Sequence, residues 1–204
     1  MLVSTQHSPK KRLQKYLMRK INYEVLLLTL LGGVLYGLAH YINNWIFKLI
    51  EFSGHVNWIY LPAFLRLANV LVLGPVFGSV ATAAGVCLIC FFQNSLLSVT
   101  LLNTLASILG PLISFRVFKV FKGREVSISQ IRDLITLAAI YSVMNALAHH
   151  IAWAIVEPDQ FLSISQLPIM IFGDLMGALL GATLFSALVN QPGILSFVKK
   201  RADE

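Results

Sequence analysis

WIYLPAFLRLANVLVLGPVFGSVATAAGVCLICFF, residues 58–92, decides how this chain is organised. The run is apolar enough to form one long helix, yet Gly74, Pro75 and Gly78 interrupt it near the depth at which a single membrane span would end. Two spans, 58–74 and 76–92, joined by a tight cytoplasmic turn, are the better reading. Working outward, four further segments approach the ~20 mainly apolar residues that a span needs: 23–41, 97–118, 134–156 and 164–189. Gln93, Asn94 and Ser95 separate two of these spans, and Glu157, Pro158 and Asp159 separate the last two, both as short outer loops. The first span continues toward Trp45, Phe47 and Ile50, a composition suited to the membrane boundary.

Composition agrees with a lipid-embedded chain. Of 204 residues, 57% are hydrophobic and 12% charged, with a mean hydropathy of +0.75. A water-soluble domain of this size could not bury that much apolar surface. The expected architecture is all-α: a polytopic bundle of about six transmembrane helices over residues 22–190, between a basic tail at 1–21 and another at 191–204. The net charge of +7 is confined to membrane flanks, which points to topology and anionic headgroups rather than to nucleic acid. The first hydrophobic stretch follows basic residues as a signal peptide does, but it is long enough to span and lacks a small-residue cleavage site. It is read as a retained helix.

Charge also orients the bundle. Lys10, Lys11, Arg12, Lys15, Arg19 and Lys20 place the N-terminus inside, and counting spans puts Arg116, Lys119, Lys122, Arg124 and Arg132 inside as well. The same count brings Lys199, Lys200 and Arg201 to that face, while the outer loops hold little beyond Lys48, Glu51, Glu157 and Asp159. An N-in/C-in, multi-pass protein of the bacterial inner membrane is the expectation.

Ionisable groups in lipid are costly, so Arg66, His149, His150 and Asp174 need partners, water or a ligand. At 1.5 Å per residue, Arg66 falls about 12 Å from the outer end of its span, Asp174 about 15 Å, and Asn145 about 15 to 17 Å. Asn69 lies slightly deeper, and Asn103 and His149 about 9 to 11 Å from the same face. Four helices thus contribute to one polar layer in the outer half, like the floor of an outward-facing pocket. Arg66 and Asp174 are the favoured ion pair. The pair either locks helix packing, or Arg66 receives an anionic or polar ligand that Asp174 orients; Asn69, Asn103, Asn145 and His149 complete such a site or bond between helices without one.

Other motifs carry less chemistry. Adjacent His149 and His150 point about 100° apart on a helix, so one faces the bundle and the other an interface. No resident cofactor is expected; haem or a metal held through His40, His149 or His150 is the alternative. Cys87 and Cys90 form C-x-x-C inside an apolar span, without the strand-to-helix context of a redox motif, and read as small packing residues. Gly173, Gly177 and Gly181 align a small-residue face at four-residue spacing, for tight packing within the bundle or for a homodimer or partner helix; Gly33 and Gly37 repeat this more weakly. Phosphate-binding, zinc-protease, nucleophile-elbow and dinucleotide motifs are missing, so an enzyme is not expected.

The stretch from Trp58 through Pro62 to Gly74 resembles the Trp-x-x-Pro start and Gly-terminated second helix of MASE1-type membrane sensor domains. N103-T-L-A-S-I-L-G110-P-L followed by Arg116 is also similar, as is F172-G-D-L-M-G-A-L-L-G181 to their late Gly-Asp-x-x-Gly helix. That resemblance implies a sensory or signalling bundle. The family commonly has about eight spans and precedes a kinase or cyclic-dinucleotide domain, whereas only a short basic tail follows Val189, so a signal would pass to a separate membrane or cytoplasmic protein partner. The size, six spans and L73-G-P-V-F-G-S-V-A-T-A-A-G85 are similar, secondarily, to substrate-binding S components of energy-coupling-factor transporters of vitamins or metals. The first span lacks their Ala-x-x-x-Ala docking strip, with Gly33 and Gly37 the nearest substitute. A structural subunit that assembles a larger complex is the third reading.

Overall fold

The computed structural model describes residues 23–53, 56–156 and 166–189. The expected tails and the loop with Glu157, Pro158 and Asp159 lie outside the described residues. Among the described residues, five helices make up the bundle: α1 (Tyr23–Ile46), α2 (Pro62–Phe92), α3 (Leu97–Lys122), α4 (Ile131–Val156) and α5 (Gln166–Val189). All five are long and apolar enough to cross a membrane. After α1 come a 3-10 turn, Lys48–Ile50, and a small antiparallel ribbon of β1 (Glu51–Ser53) and β2 (Val56–Asn57), which the hydropathy pattern does not announce.

Gly74 breaks α2. Its backbone lies at φ 79°, ψ 174°, a region open essentially to glycine alone, and Pro75 follows without an N–H to continue the ladder. The two limbs, 62–73 and 75–92, fold back on each other. Asn69 Nδ2 donates to Thr82 Oγ1 at 3.4 Å, although 13 residues of unbroken helix would separate them by about 20 Å. Gly78 makes this hairpin tight: a β-carbon there would lie 2.5 Å from the Asn69 carbonyl oxygen.

The first limb runs antiparallel to α1, pairing Asn43 with Leu61, Tyr36 with Arg66 and Gly32 with Asn69. The second runs parallel to α1, with Gly33 beside Ala81 and Gly37 beside Gly85 and Leu88. Helices α3 and α4 are antiparallel, Asn103 meeting Trp153 and Gly110 meeting Asn145.

The run 58–61, expected within a span, is not helical; the helix starts at Pro62, whose fixed φ and missing N–H suit a first turn. Two of its backbone donors are satisfied by the bundle. Tyr60 N–H donates to the Gly173 carbonyl (3.0 Å) and Leu61 N–H to Asn43 Oδ1 (2.9 Å). Irregular backbone survives at membrane depth only when protein covers it in this way. Gly173, Gly177 and Gly181 provide the cover: β-carbons there would collide with the Asn57 carbonyl, the Tyr60 carbonyl and the Phe64 ring. Their shared face is therefore occupied within the chain.

The bundle has an apolar core, but its outside is apolar too, and several polar groups are buried. Leu30, Leu101, Ile151 and Leu184 are each more than half exposed on the outside, while Arg66, Asn145 and Asp174 are 4%, 0% and 1% exposed. Apolar surface facing out and polar groups facing in is the arrangement that lipid as solvent selects. At one end, Gly123 closes α3 in a left-handed conformation (φ 68°), its N–H bonded to the Lys119 carbonyl, and the loop beyond is held by Arg124, which grips Asp133 through Nη1 (2.5 Å) and Nη2 (2.8 Å). That hydrogen bonding raises the Arg124 guanidinium above its ordinary pKa.

Candidate functional site

A cavity of about 370 Å³ opens at the opposite end of the bundle. Asn44, Gln93, Ser95 and Leu96 surround its mouth, β2 contributes Val56 and Asn57 to a wall, and Arg66, Ser107 and Asp174 lie along its deeper lining. Its size is toward the lower end of the range, about 300–1,000 Å³, usual for small-molecule pockets.

Arg66 is fixed from several sides. Its Nε donates to Tyr36 Oη at 2.8 Å, and its Nη1 donates to Asn145 Oδ1 at 2.9 Å. Nη1 also faces His149 Nε2 (3.2 Å) and, at the limit of hydrogen bonding, Tyr141 Oη (3.5 Å). The guanidinium carbon sits 5.3 Å from the Tyr36 ring centroid and 5.4 Å from that of Tyr60, so two aromatic faces flank the cation. The arginine's contact with His149 Nε2 makes that nitrogen an acceptor, which puts the ring proton on Nδ1. Nη2 has no hydrogen-bond acceptor among the described residues.

The expected direct ion pair between Arg66 and Asp174 does not form among the described residues. Asn145 stands between them, accepting from Arg66 through Oδ1 and donating from Nδ2 to Asp174 Oδ2 at 2.6 Å. One amide, with an acceptor and a donor on the same carbon, thereby links the two charges and holds them apart. Asp174 Oδ1 receives no hydrogen bond from any described residue.

Of the residues expected to form the site, Arg66, Asn103, His149 and Asp174 line the cavity. Asn145 braces it from behind. Asn69 does not reach it, being engaged with Thr82 and packed at Gly32, below the Arg66 layer. Asn103 accepts from Trp153 Nε1 at 2.8 Å, which fixes the indole as a cavity wall.

Sequence reasoning missed Tyr36, Tyr60, Tyr141, Ser107 and Trp153. A signal for some of them was present: Tyr141, Asn145 and His149 recur at four-residue spacing, as do Tyr36 and His40, and such spacing puts polar side chains on one helix face. Tyr60 carries no such signal because its backbone is not helical.

Each of the three candidate histidines is engaged by neighbouring groups. His40 Nδ1 is 3.2 Å from Tyr60 Oη, and its Nε2 accepts from Asn44 Nδ2 at 3.1 Å. His149 Nε2 faces a guanidinium, and His150 turns its Nδ1 to the Ala146 carbonyl. Among the described residues no cluster of three or more His, Cys, Asp or Glu side chains is suited to a metal ion. Cys90 is buried and lines the cavity, whereas Cys87 is exposed on the outside of the bundle, so C-x-x-C does not present two thiols to one space.

No known protein family, curated protein or solved structure matches this chain.

Proposed function

We propose that the chain is a ligand-binding membrane module that receives a small polar molecule from the outer face and relays its occupancy to a separate protein. The carrying observation is a buried cation with an unused donor edge: Arg66 is 4% exposed, lines the cavity and has no acceptor for Nη2 among the described residues. Leaving such an edge without a partner costs more than a neutral group would. A pure packing role would favour pairing it off.

In this reading the α2 hairpin supplies two passes, giving six, with both termini on the cytoplasmic side of the bacterial inner membrane. The alternation of parallel and antiparallel neighbours around the two limbs supports an even count. Lys119, Lys122 and Arg124 cluster at the end away from the cavity mouth, which supports an outward-facing cavity by the positive-inside rule. The resemblance to MASE1-type domains makes signalling the favoured use of binding, and the assignment includes no catalysis. An S component is the weaker reading because the nearest substitute for its docking strip is covered: Gly33 and Gly37 face Ala81, Ala84, Gly85 and Leu88.

The test is purification from native membranes followed by mass spectrometry of retained small molecules and proteins. A retained ligand that Arg66→Met loses, with a copurifying signalling enzyme, is the expected result. A transport ATPase module among the partners would favour the S component. Normal ligand retention by Arg66→Met with only lowered thermal stability would make the arginine architectural.

A further inference from the structure

The cavity holds two opposite charges, each with one edge in use and one edge idle. Arg66 spends Nε and Nη1 on Tyr36, Asn145 and His149, and Nη2 has no acceptor among the described residues. Asp174 accepts through Oδ2 from Asn145, and Oδ1 has no donor among them. Both side chains are more than nine-tenths buried and both line the same cavity. Because Asn145 bridges them, they do not quench each other by direct contact, and both remain in the lining of one cavity.

The charge balance selects among ligands. A simple anion would satisfy Arg66 but bring a second negative charge toward Asp174, and a simple cation would meet the converse problem at Arg66. A neutral ligand leaves at least one buried charge without a counter-ion. A molecule carrying both signs satisfies the two edges at once and adds no net charge to the bundle. The remaining wall is apolar where Val86, Ile89, Trp153 and Met170 line it.

We propose that the cavity takes a small zwitterion of the α-amino-acid type, its carboxylate on Arg66, its ammonium on Asp174 and an apolar side group against Trp153 and Met170. This inference rests on the binding function proposed above and specifies its ligand class.

The experiment is calorimetric titration of the full chain in lipid nanodiscs with the common L-amino acids and with matched analogues lacking one charge. For phenylalanine these are 3-phenylpropanoate and 2-phenylethylamine; for leucine, 4-methylpentanoate and 3-methylbutylamine. An amino acid should bind at least about tenfold more tightly than either analogue, roughly the loss expected when one charged contact disappears. Asp174→Asn should erase the preference over the carboxylate analogue. The wild-type comparison stands by itself if that variant does not fold. Equal binding of carboxylates and amino acids would overturn the zwitterion while leaving an anion-binding module. Retention of a ligand of other chemistry, with no amino acid bound, would overturn it in the same way. Absence of any bound or retained small molecule would overturn both this inference and the binding function.

Discussion

Replacing Gly177 by alanine puts the unusual packing of α5 to a direct test. A β-carbon at this position meets the Tyr60 carbonyl oxygen and carbon, with Leu61 N at 2.9 Å, all of them backbone atoms that cannot swing aside. Relieving the overlap must push the 58–61 run away from α5. Overpacking of this kind costs about 1–3 kcal/mol, and weakening the Tyr60 N–H bond to the Gly173 carbonyl adds about 1 kcal/mol. Alanine's better helix propensity returns about 0.5–1 kcal/mol. A net loss of about 2 kcal/mol is expected on these terms. Gly37→Ala is the internal control, since its nearest neighbours lie at 3.8 Å and the substitution should be neutral or stabilising by up to about 1 kcal/mol. Unfolding by sodium dodecyl sulfate in mixed micelles, followed by tryptophan fluorescence, measures both. Tyr60 flanks the Arg66 guanidinium, so Gly177→Ala should also weaken whatever ligand the cavity retains. Equal stability of the two variants would refute the close approach of α5 to the 58–61 backbone.

Further outcomes follow from the same geometry. Asn145→Leu removes the bridge between Arg66 and Asp174 and should cost about 3–5 kcal/mol in the same unfolding assay, the range for stripping a partner from a buried charge; a loss below about 1 kcal/mol would mean the network is not what holds the charges. Gly74→Ala meets no atom within 4 Å, yet places a side chain at φ 79°, so a loss of about 1–3 kcal/mol from backbone strain alone is expected. Asp133→Ala removes the carboxylate to which Arg124 and the Ser127 N–H donate, leaving Arg124 only the Glu125 carbonyl and Gln130 Oε1, and should destabilise the loop after α3, read as faster amide exchange at 124–130 with the cavity end unchanged. In a Cys87→Ala, Cys90→Ala background, Asn94→Cys should react with an impermeant maleimide on intact cells and Glu125→Cys only after lysis; the reverse pattern would invert the proposed orientation.

The legible part of this protein is what bilayer physics writes into composition. Long apolar runs, basic flanks and the Gly74–Pro75 break depend on local residue type alone, so the helical membrane class and the fold-back within residues 58–92 could be read without coordinates. The depth of Arg66, Asn103, Asn145, His149 and Asp174 was likewise accessible, because rise per residue converts position into height. Height says nothing of azimuth. Only packing could decide that Asn145 would stand between Arg66 and Asp174, that Asn69 would turn to Thr82, and that Gly173, Gly177 and Gly181 would cover an irregular backbone run. Those outcomes depend on which helix faces meet and at what register, and mainly apolar helix surfaces carry almost no sequence code for either. The tertiary structure therefore determined what the sequence left open: two buried charges at similar depth became one cavity with an idle edge on each.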